Sequence, residues 1–225
     1  MNKAALRWSL VALILVVGMV YALWPRGDSP VAQPSDGPGS GQRGPSTAER
    51  RAADTPEALA SLRQNAQLAA CPTTSGTSAS DNSAGPLTGI TLECIGDGSY
   101  LDVGQALAGR PALLNIWAYW CGPCAEELPY LQQYAERAGD AITVVTVHND
   151  PNEANGLTRL TDYGVTLPGV QDGGGRIAAA VGAPNVLPVS VLISADGTVA
   201  KVLPQPFDSV DDIADAVRVN LGVDS

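Results

Sequence analysis

The sequence predicts an α/β domain with a central mixed sheet and helices on both faces, and three observations carry the prediction. Segments 112–117 and 141–147 are apolar throughout or nearly so, as strands covered on both faces are. A helix-forming stretch, 123–138, separates them, which is the spacing of a crossover connection. Segments 189–193 and 198–202 flank Asp196-Gly197, an antiparallel hairpin signal, and a last amphipathic stretch over 209–221 closes the chain.

The 225 residues allow one compact domain and a long leader. With a single Phe, the core must be built from Ala, Val and Leu. A net charge of −10 leaves no basic face to neutralise phosphates, so nucleic acid is excluded as a partner. Residues 8–24 are an apolar run flanked by Lys3 and Arg7 on one side and Arg26 on the other, with Trp8, Tyr21 and Trp24 at its ends. That pattern predicts a transmembrane anchor behind a cytoplasmic segment 1–7. A cleaved signal peptide is the competing expectation, and 22–25 offers it no small-residue cleavage site. Either way the remaining chain is expected outside the cytoplasm.

Residues 25–54 are rich in Pro, Gly, Ser and Gln and predict a disordered linker. Thr55-Pro56-Glu57 opens a helix whose apolar face, Leu59, Leu62, Ala66 and Ala69, is expected to reach Cys71. A Ser/Thr-rich loop follows, so 55–84 forms a helix-and-loop leader to the compact domain at 85–225. That domain starts with two strands around Gly96-Asp-Gly98, 90–94 and 100–103, then a short turn at 106–108. Pro129 is expected to kink the helix over 123–138. Past the second buried strand come a helix over 153–163, a weaker strand at 165–170 and a short helix at 176–181. In the closing helix Asp211 and Asp212 suit the first turn, and Ile213, Ala216, Val217 and Leu221 form the buried stripe.

The chemistry resides in Trp120-Cys121-Gly122-Pro123-Cys124, which sits where a strand hands over to a helix. A two-residue gap keeps two thiols close enough to form and open a small ring. Free N–H groups at the helix start favour thiolate at Cys121, and Cys124 lies inside the first turn. Cys121 is therefore the expected nucleophile and Cys124 the resolver. Gly122 is read as allowing a tight turn and Pro123 as fitting the first helical turn. Outside the cytosol, Cys71 and Cys94 are free to pair with each other, with a stabilisation of roughly 3 kcal/mol from loop entropy. Two separate buried thiols, or one that intercepts the active pair, are the alternatives. Glu127 is either a tuning group for the pair or a solvated helix glutamate. His148, the only histidine, is expected as a hydrogen-bonded or solvated loop-start residue. The cysteines lack zinc-ribbon spacing, and neither metal nor cofactor is expected.

Over 85–221 the chain resembles the TlpA/ResA-like group of membrane-tethered, thioredoxin-fold thiol–disulfide oxidoreductases, actinobacterial members in its leader. Trp120, Cys121, Cys124, Glu127 and Pro129 match the group's W-C-x-x-C-x-x-E-x-P pattern. Pro188 matches its cis-proline before a strand, with Pro184 as competitor, and a cis bond there would leave the Leu187 backbone open to pair with a substrate peptide. The resemblance implies a thioredoxin-like fold with an N-terminal β-hairpin and a strand-helix insert, roughly 149–170. Catalytic roles are implied for Cys121, Cys124, Pro188, Glu127 and Trp120, and substrate contacts for Leu187, Gly122 and Pro123. It further implies an extracytoplasmic, monomeric reductase of disulfides in exported proteins such as apocytochrome c, with a membrane electron donor of the CcdA type. Asn115 stands where plain thioredoxin has a buried Asp, and an amide cannot shuttle the resolving thiol's proton. An oxidant of secreted proteins and a non-catalytic peptide-binding module are the competing functions.

Overall fold

A computed structural model describes residues 54–73 and 85–224 of the chain. The expected segment 1–7, the anchor 8–24, the linker as far as residue 53 and most of the Ser/Thr-rich loop lie outside the described residues. Among the described residues no helix is long and apolar enough to cross a membrane.

Helix α1 (Pro56–Ala66) begins as its sequence requires. The Thr55 hydroxyl accepts the Ala58 N–H at 3.4 Å, and Pro56 occupies the first turn, where its missing donor has no intrahelical partner to lose. The helix stops at Ala66, short of Cys71. Gln67 adopts a left-handed conformation (φ 48) and its N–H bonds the Arg63 carbonyl. Ala69 then donates its N–H to the Thr166 carbonyl at 2.7 Å, so it serves a long-range contact and lies off the helix face.

Strands β1 (Thr91–Cys94) and β2 (Tyr100–Asp102) form the N-terminal hairpin in antiparallel register, Leu92 opposite Leu101. The Asp102 carboxylate accepts the Gln105 N–H at 2.9 Å, which ends β2 and starts α2 (Val103–Ala106), earlier than the turn expected at 106–108. There follow β3 (Ala112–Trp117), α3 (Gly122–Ala138), a 3-10 turn (Gly139–Ala141) and β4 (Thr143–His148). Helix α3 continues through Pro129 without ending there. The insert is α4 (Glu153–Asp162) with β5 (Gly169–Gln171). Strand β5 is shorter than the expected 165–170. Pro168 has no N–H for the ladder, and the Thr166 N–H is committed to the Gln132 side chain at 2.9 Å. Helix α5 (Arg176–Ala180), β6 (Val189–Ile193), β7 (Val199–Leu203) and α6 (Val210–Leu221) complete the chain. The Ser209 hydroxyl caps α6 at the Asp212 N–H, 3.1 Å away.

The seven strands run β2-β1-β5-β4-β3-β6-β7. Strand β3 is parallel to β4 and antiparallel to β6, while β5 is parallel to β4 and antiparallel to β1. The sheet is mixed, and α3 and α6 cover one face. There Leu113 and Trp117 of β3 pack with Leu128, Leu131 and Tyr134 of α3 and with Ile213 and Val217 of α6. On the other face Leu114, Ile116, Val145 and Val147 pack with Ile177 of α5 and Val103 of α2. Period-2 alternation places Asn115, Thr146 and Ser190 on the α3 side, between apolar neighbours. This is the expected α/β architecture, hairpin and insert included.

Candidate active site

The chain leaves β3 at Trp117, turns through 118–121 and enters α3. In the turn the Cys121 N–H bonds the Ala118 carbonyl at 3.0 Å. Cys121 is the N-cap of α3, in extended conformation, and its Sγ accepts the Cys124 N–H at 3.2 Å. A sulfur in that place replaces the oxygen of an ordinary cap and receives one of the orphan donors of the first turn. Cys121 and Cys124 are joined as a disulfide with Cα atoms 5.3 Å apart. Cys121 is 7% exposed and Cys124 0%, so both are buried and Cys121 is the more accessible of the pair. With the pair reduced, the same N–H would stabilise negative charge on the Cys121 sulfur.

Gly122 and Pro123 are exposed at the start of α3. Open space surrounds the position of a Gly122 Cβ, and its φ is not in the left-handed region. The turn therefore does not depend on glycine at 122, contrary to expectation. Trp120 is 62% exposed, and its indole N–H donates to Asp150 Oδ2 at 2.9 Å.

Leu187–Pro188 is a cis peptide, and Pro184 is not in one. Register explains how this bond reaches the cysteines. Val189, the first residue of β6, lies opposite Ile116 near the end of β3, so the residues before β6 sit at the same sheet end as the Cys121 turn. Leu187 packs against the cluster that holds Cys121 and Cys124. Beside it runs a cleft of about 580 Å³ whose lining includes Trp120, Asn149, Ala178, Val186 and Leu187.

Beneath the pair lies Glu127, fully buried one helical turn after Cys124. Of the two expectations for it, the solvated helix glutamate is wrong. Its Oε2 accepts from Asn115 Nδ2 at 2.8 Å and its Oε1 from the Phe207 N–H at 3.1 Å. Asn115 also donates to the Ser190 hydroxyl at 3.1 Å. Burial raises the Glu127 carboxyl to about 7, against the two hydrogen bonds, which pull it down. The carboxyl can thus hold or release a proton near neutrality, which Asn115 cannot.

His148 is hydrogen-bonded, one of the two expectations for it, but it is buried at the end of β4 and not solvated. Its ring lies 4.9 Å from that of Trp117, and its Nδ1 is 2.8 Å from Gln171 Oε1. Burial keeps its pKa below the usual value, against the bond to Gln171, which raises it. Among the described residues no cluster of His, Cys, Asp or Glu could hold a metal ion. Cys71 and Cys94 form a second disulfide, Cα atoms 6.0 Å apart, away from α3 on the β1 side of the sheet.

Sequence reasoning passed over Asp150, Ser190, Phe207 and Gln171. Ser190 had a signal, a polar residue within an otherwise apolar strand. Phe207 acts through its backbone and Asp150 and Gln171 through loop geometry, so no local pattern marks them.

The redoxin family model matches residues 74–218. The thiol-disulfide oxidoreductase ResA of Bacillus subtilis (strain 168) is 32% identical over 98 residues, 43% of this chain and 54% of that protein. The chain thus spans about half the length of the curated relatives it matches. A secreted Mycobacterium tuberculosis disulfide oxidoreductase homologous to E. coli DsbE superposes with a TM-score of 0.52 at 28% identity, covering 60% of this chain and 97% of that one. A DsbF homologue from Corynebacterium diphtheriae gives 0.51 at 25% identity, with 60% and 85% covered. A family match running from residue 74 into α6, on a fold that these structures share, means that the chain belongs to the redoxin family.

Proposed function

We propose that this protein is an extracytoplasmic thiol–disulfide oxidoreductase that reduces disulfides in exported proteins. The supporting observation is the Cys121–Cys124 pair at the start of α3, with the Cys121 sulfur accepting the Cys124 N–H. In the reduced protein the Cys121 thiolate attacks one sulfur of a substrate disulfide. A mixed disulfide forms and one substrate thiolate leaves. The Cys124 thiolate then attacks Cys121 Sγ, releasing the second substrate thiolate and closing the 121–124 disulfide. The substrate gains two electrons and the pair loses two, which an external dithiol must restore. We assign Glu127, buried one helical turn after Cys124 with its carboxyl raised to about 7, to take the Cys124 proton as the resolving thiolate forms. Trp120, Leu187 and Pro188 flank the approach to Cys121, with Gly122 and Pro123 exposed beside it.

The reading extends to a single-pass membrane protein anchored by residues 8–24, acting as a monomer. Its substrates would include apocytochrome c and its donor a membrane carrier of the CcdA type. The likeness to a thiol-disulfide oxidoreductase supports the exchange chemistry on which this reading builds. In intact cells, Cys124→Ser is expected to accumulate mixed disulfides through Cys121, which mass spectrometry of the adducts will identify. Adducts that persist in Cys121→Ser would defeat the mechanism. A reduction potential near −120 mV, that of a strong oxidant, would reverse the direction.

A further inference from the structure

We propose that a side-chain relay rooted in the inserted strand β5, from Gln171 through Asp150 to Trp120, holds the exposed indole as a fixed wall of the substrate cleft and so sets how well a protein disulfide binds. The proposal rests on the exchange reading above and assigns positioning roles to Gln171 and Asp150.

An indole that is 62% exposed has little packing to hold it, and ordering it on binding would weaken affinity. Here it is ordered beforehand. Asp150 divides its carboxylate between the Trp120 indole N–H (Oδ2, 2.9 Å) and the Asn152 N–H (Oδ1, 2.8 Å). Its carbonyl accepts from Gln171 Nε2 at 2.6 Å. A carbonyl can only accept, so the Gln171 amide orientation is determined, and Oε1 must face His148 Nδ1. That nitrogen therefore carries a proton, and Nε2 is buried with no hydrogen-bond partner among the described residues.

The root of the relay has no room to shift. The His148 ring lies against Trp117 and 6.2 Å from Tyr119, and a Cβ on Gly156 of α4 would come within 2.8 Å of it. Backbone register supplies the rest, because His148 of β4 lies opposite Gln171 of β5. Only an amide accepts from the ring and donates to the loop at that reach. Glu at 171 keeps the first bond and loses the second, and Met loses both.

The test uses the full-length protein. Trp120→Phe identifies the Trp120 indole N–H signal in ¹⁵N spectra, and its exchange with solvent is then followed in wild type, Asp150→Ala, Gln171→Met and Gln171→Glu. KM and kcat are measured for dithiothreitol-driven reduction of insulin. Asp150→Ala and Gln171→Met are expected to speed indole exchange and to raise KM about five-fold, the equilibrium factor of one ordinary hydrogen bond, with kcat falling by less. Adding Trp120→Phe to either is expected to raise KM no further, as members of one unit do. Gln171→Glu, which keeps the bond to His148, guards against a folding defect and is expected to behave like Gln171→Met. Unchanged indole exchange, or KM effects that add to those of Trp120→Phe, overturn the relay. A wild type that leaves insulin intact while Asp150→Ala still releases the indole overturns the exchange function and upholds the relay as a structural device.

Discussion

Glu127 shows how one buried carboxyl links stability to chemistry. Its value of about 7 lies above the ordinary 4.5, so the folded protein binds a proton that the unfolded chain has already lost between those limits. Below 4.5 both states are protonated and nothing is lost. As pH rises from 4.5 to 7, stability falls, and above 7 the deficit is constant. Its ceiling is on the order of 3 kcal/mol, because the shift is between 2 and 3 pH units. Glu127→Gln is expected to lack this slope, so its urea midpoint relative to wild type should climb from pH 4.5 to 7. Parallel pH curves would show that the carboxylate is not desolvated. The same substitution should slow the resolving step above pH 7, measurable as a longer-lived mixed disulfide after rapid mixing with substrate. Asn115, read as unable to move a proton, turns out to be the residue that holds the one that can.

At the scale of elements, one polar side chain ties helix α1 to two neighbours, beside the apolar contacts of Leu59 and Ala66 with Ile95 and Leu157. Arg63 donates to Glu93 Oε1 at 2.5 Å, to Glu153 Oε1 at 2.7 Å and to the Ile95 carbonyl at 3.2 Å, tying α1 to β1 and to the start of α4. Glu153, the first residue of α4, has a side chain only 8% exposed, and burial raises its carboxyl against the pull of Arg63. Asp54, counted with the linker, accepts the Ala154 N–H at 2.9 Å and pins the front of α1 to the same helix start. Arg63→Met should destabilise the domain by about 2 kcal/mol, less than a fully buried pair because Glu93 is 27% exposed. Chemical denaturation measures the loss, and amide exchange should locate it in α1 and the front of α4. Gly156→Ala tests a second joint. The added methyl meets the His148 ring, and overpacking of this kind costs about 1–3 kcal/mol. Wild-type stability for that variant would mean that the α4–β4 seam can open.

Across the whole molecule, the second disulfide joins the segment after α1 to strand β1, second from the edge of the sheet. Cys71 and Cys94 are 23 residues apart, so breaking the link with Cys71→Ser and Cys94→Ser should lower stability by about 3 kcal/mol. Cys121–Cys124 exchange should survive, since the two disulfides belong to different core clusters. Loss of exchange in that double variant would favour the reading in which one of these thiols takes part in turnover. The inserted β5 pairs with the same strand β1, Cys94 opposite Val170. Insert and leader are therefore braced against each other, while the active pair occupies the opposite, α3-covered face of the sheet.

What could be read along the chain was whatever depends on near neighbours. Nearly unbroken apolar runs marked β3, β4 and β6, Thr55-Pro56 and the Asp211-Asp212 pair marked helix starts, and the Cys121–Cys124 gap marked the redox pair, because each signal spans fewer than about ten residues. The limits of α1 and β5 escaped, since an N–H of residue 69 seeking the carbonyl of residue 166 leaves no trace in either segment. So did the burial of Glu127 and the tether on Trp120. Those depend on which strand lies beside which and on the exclusion of water between packed layers. Both are properties of distant segments brought together, and they set the proton affinity and the posture of residues whose chemical type was legible from the start.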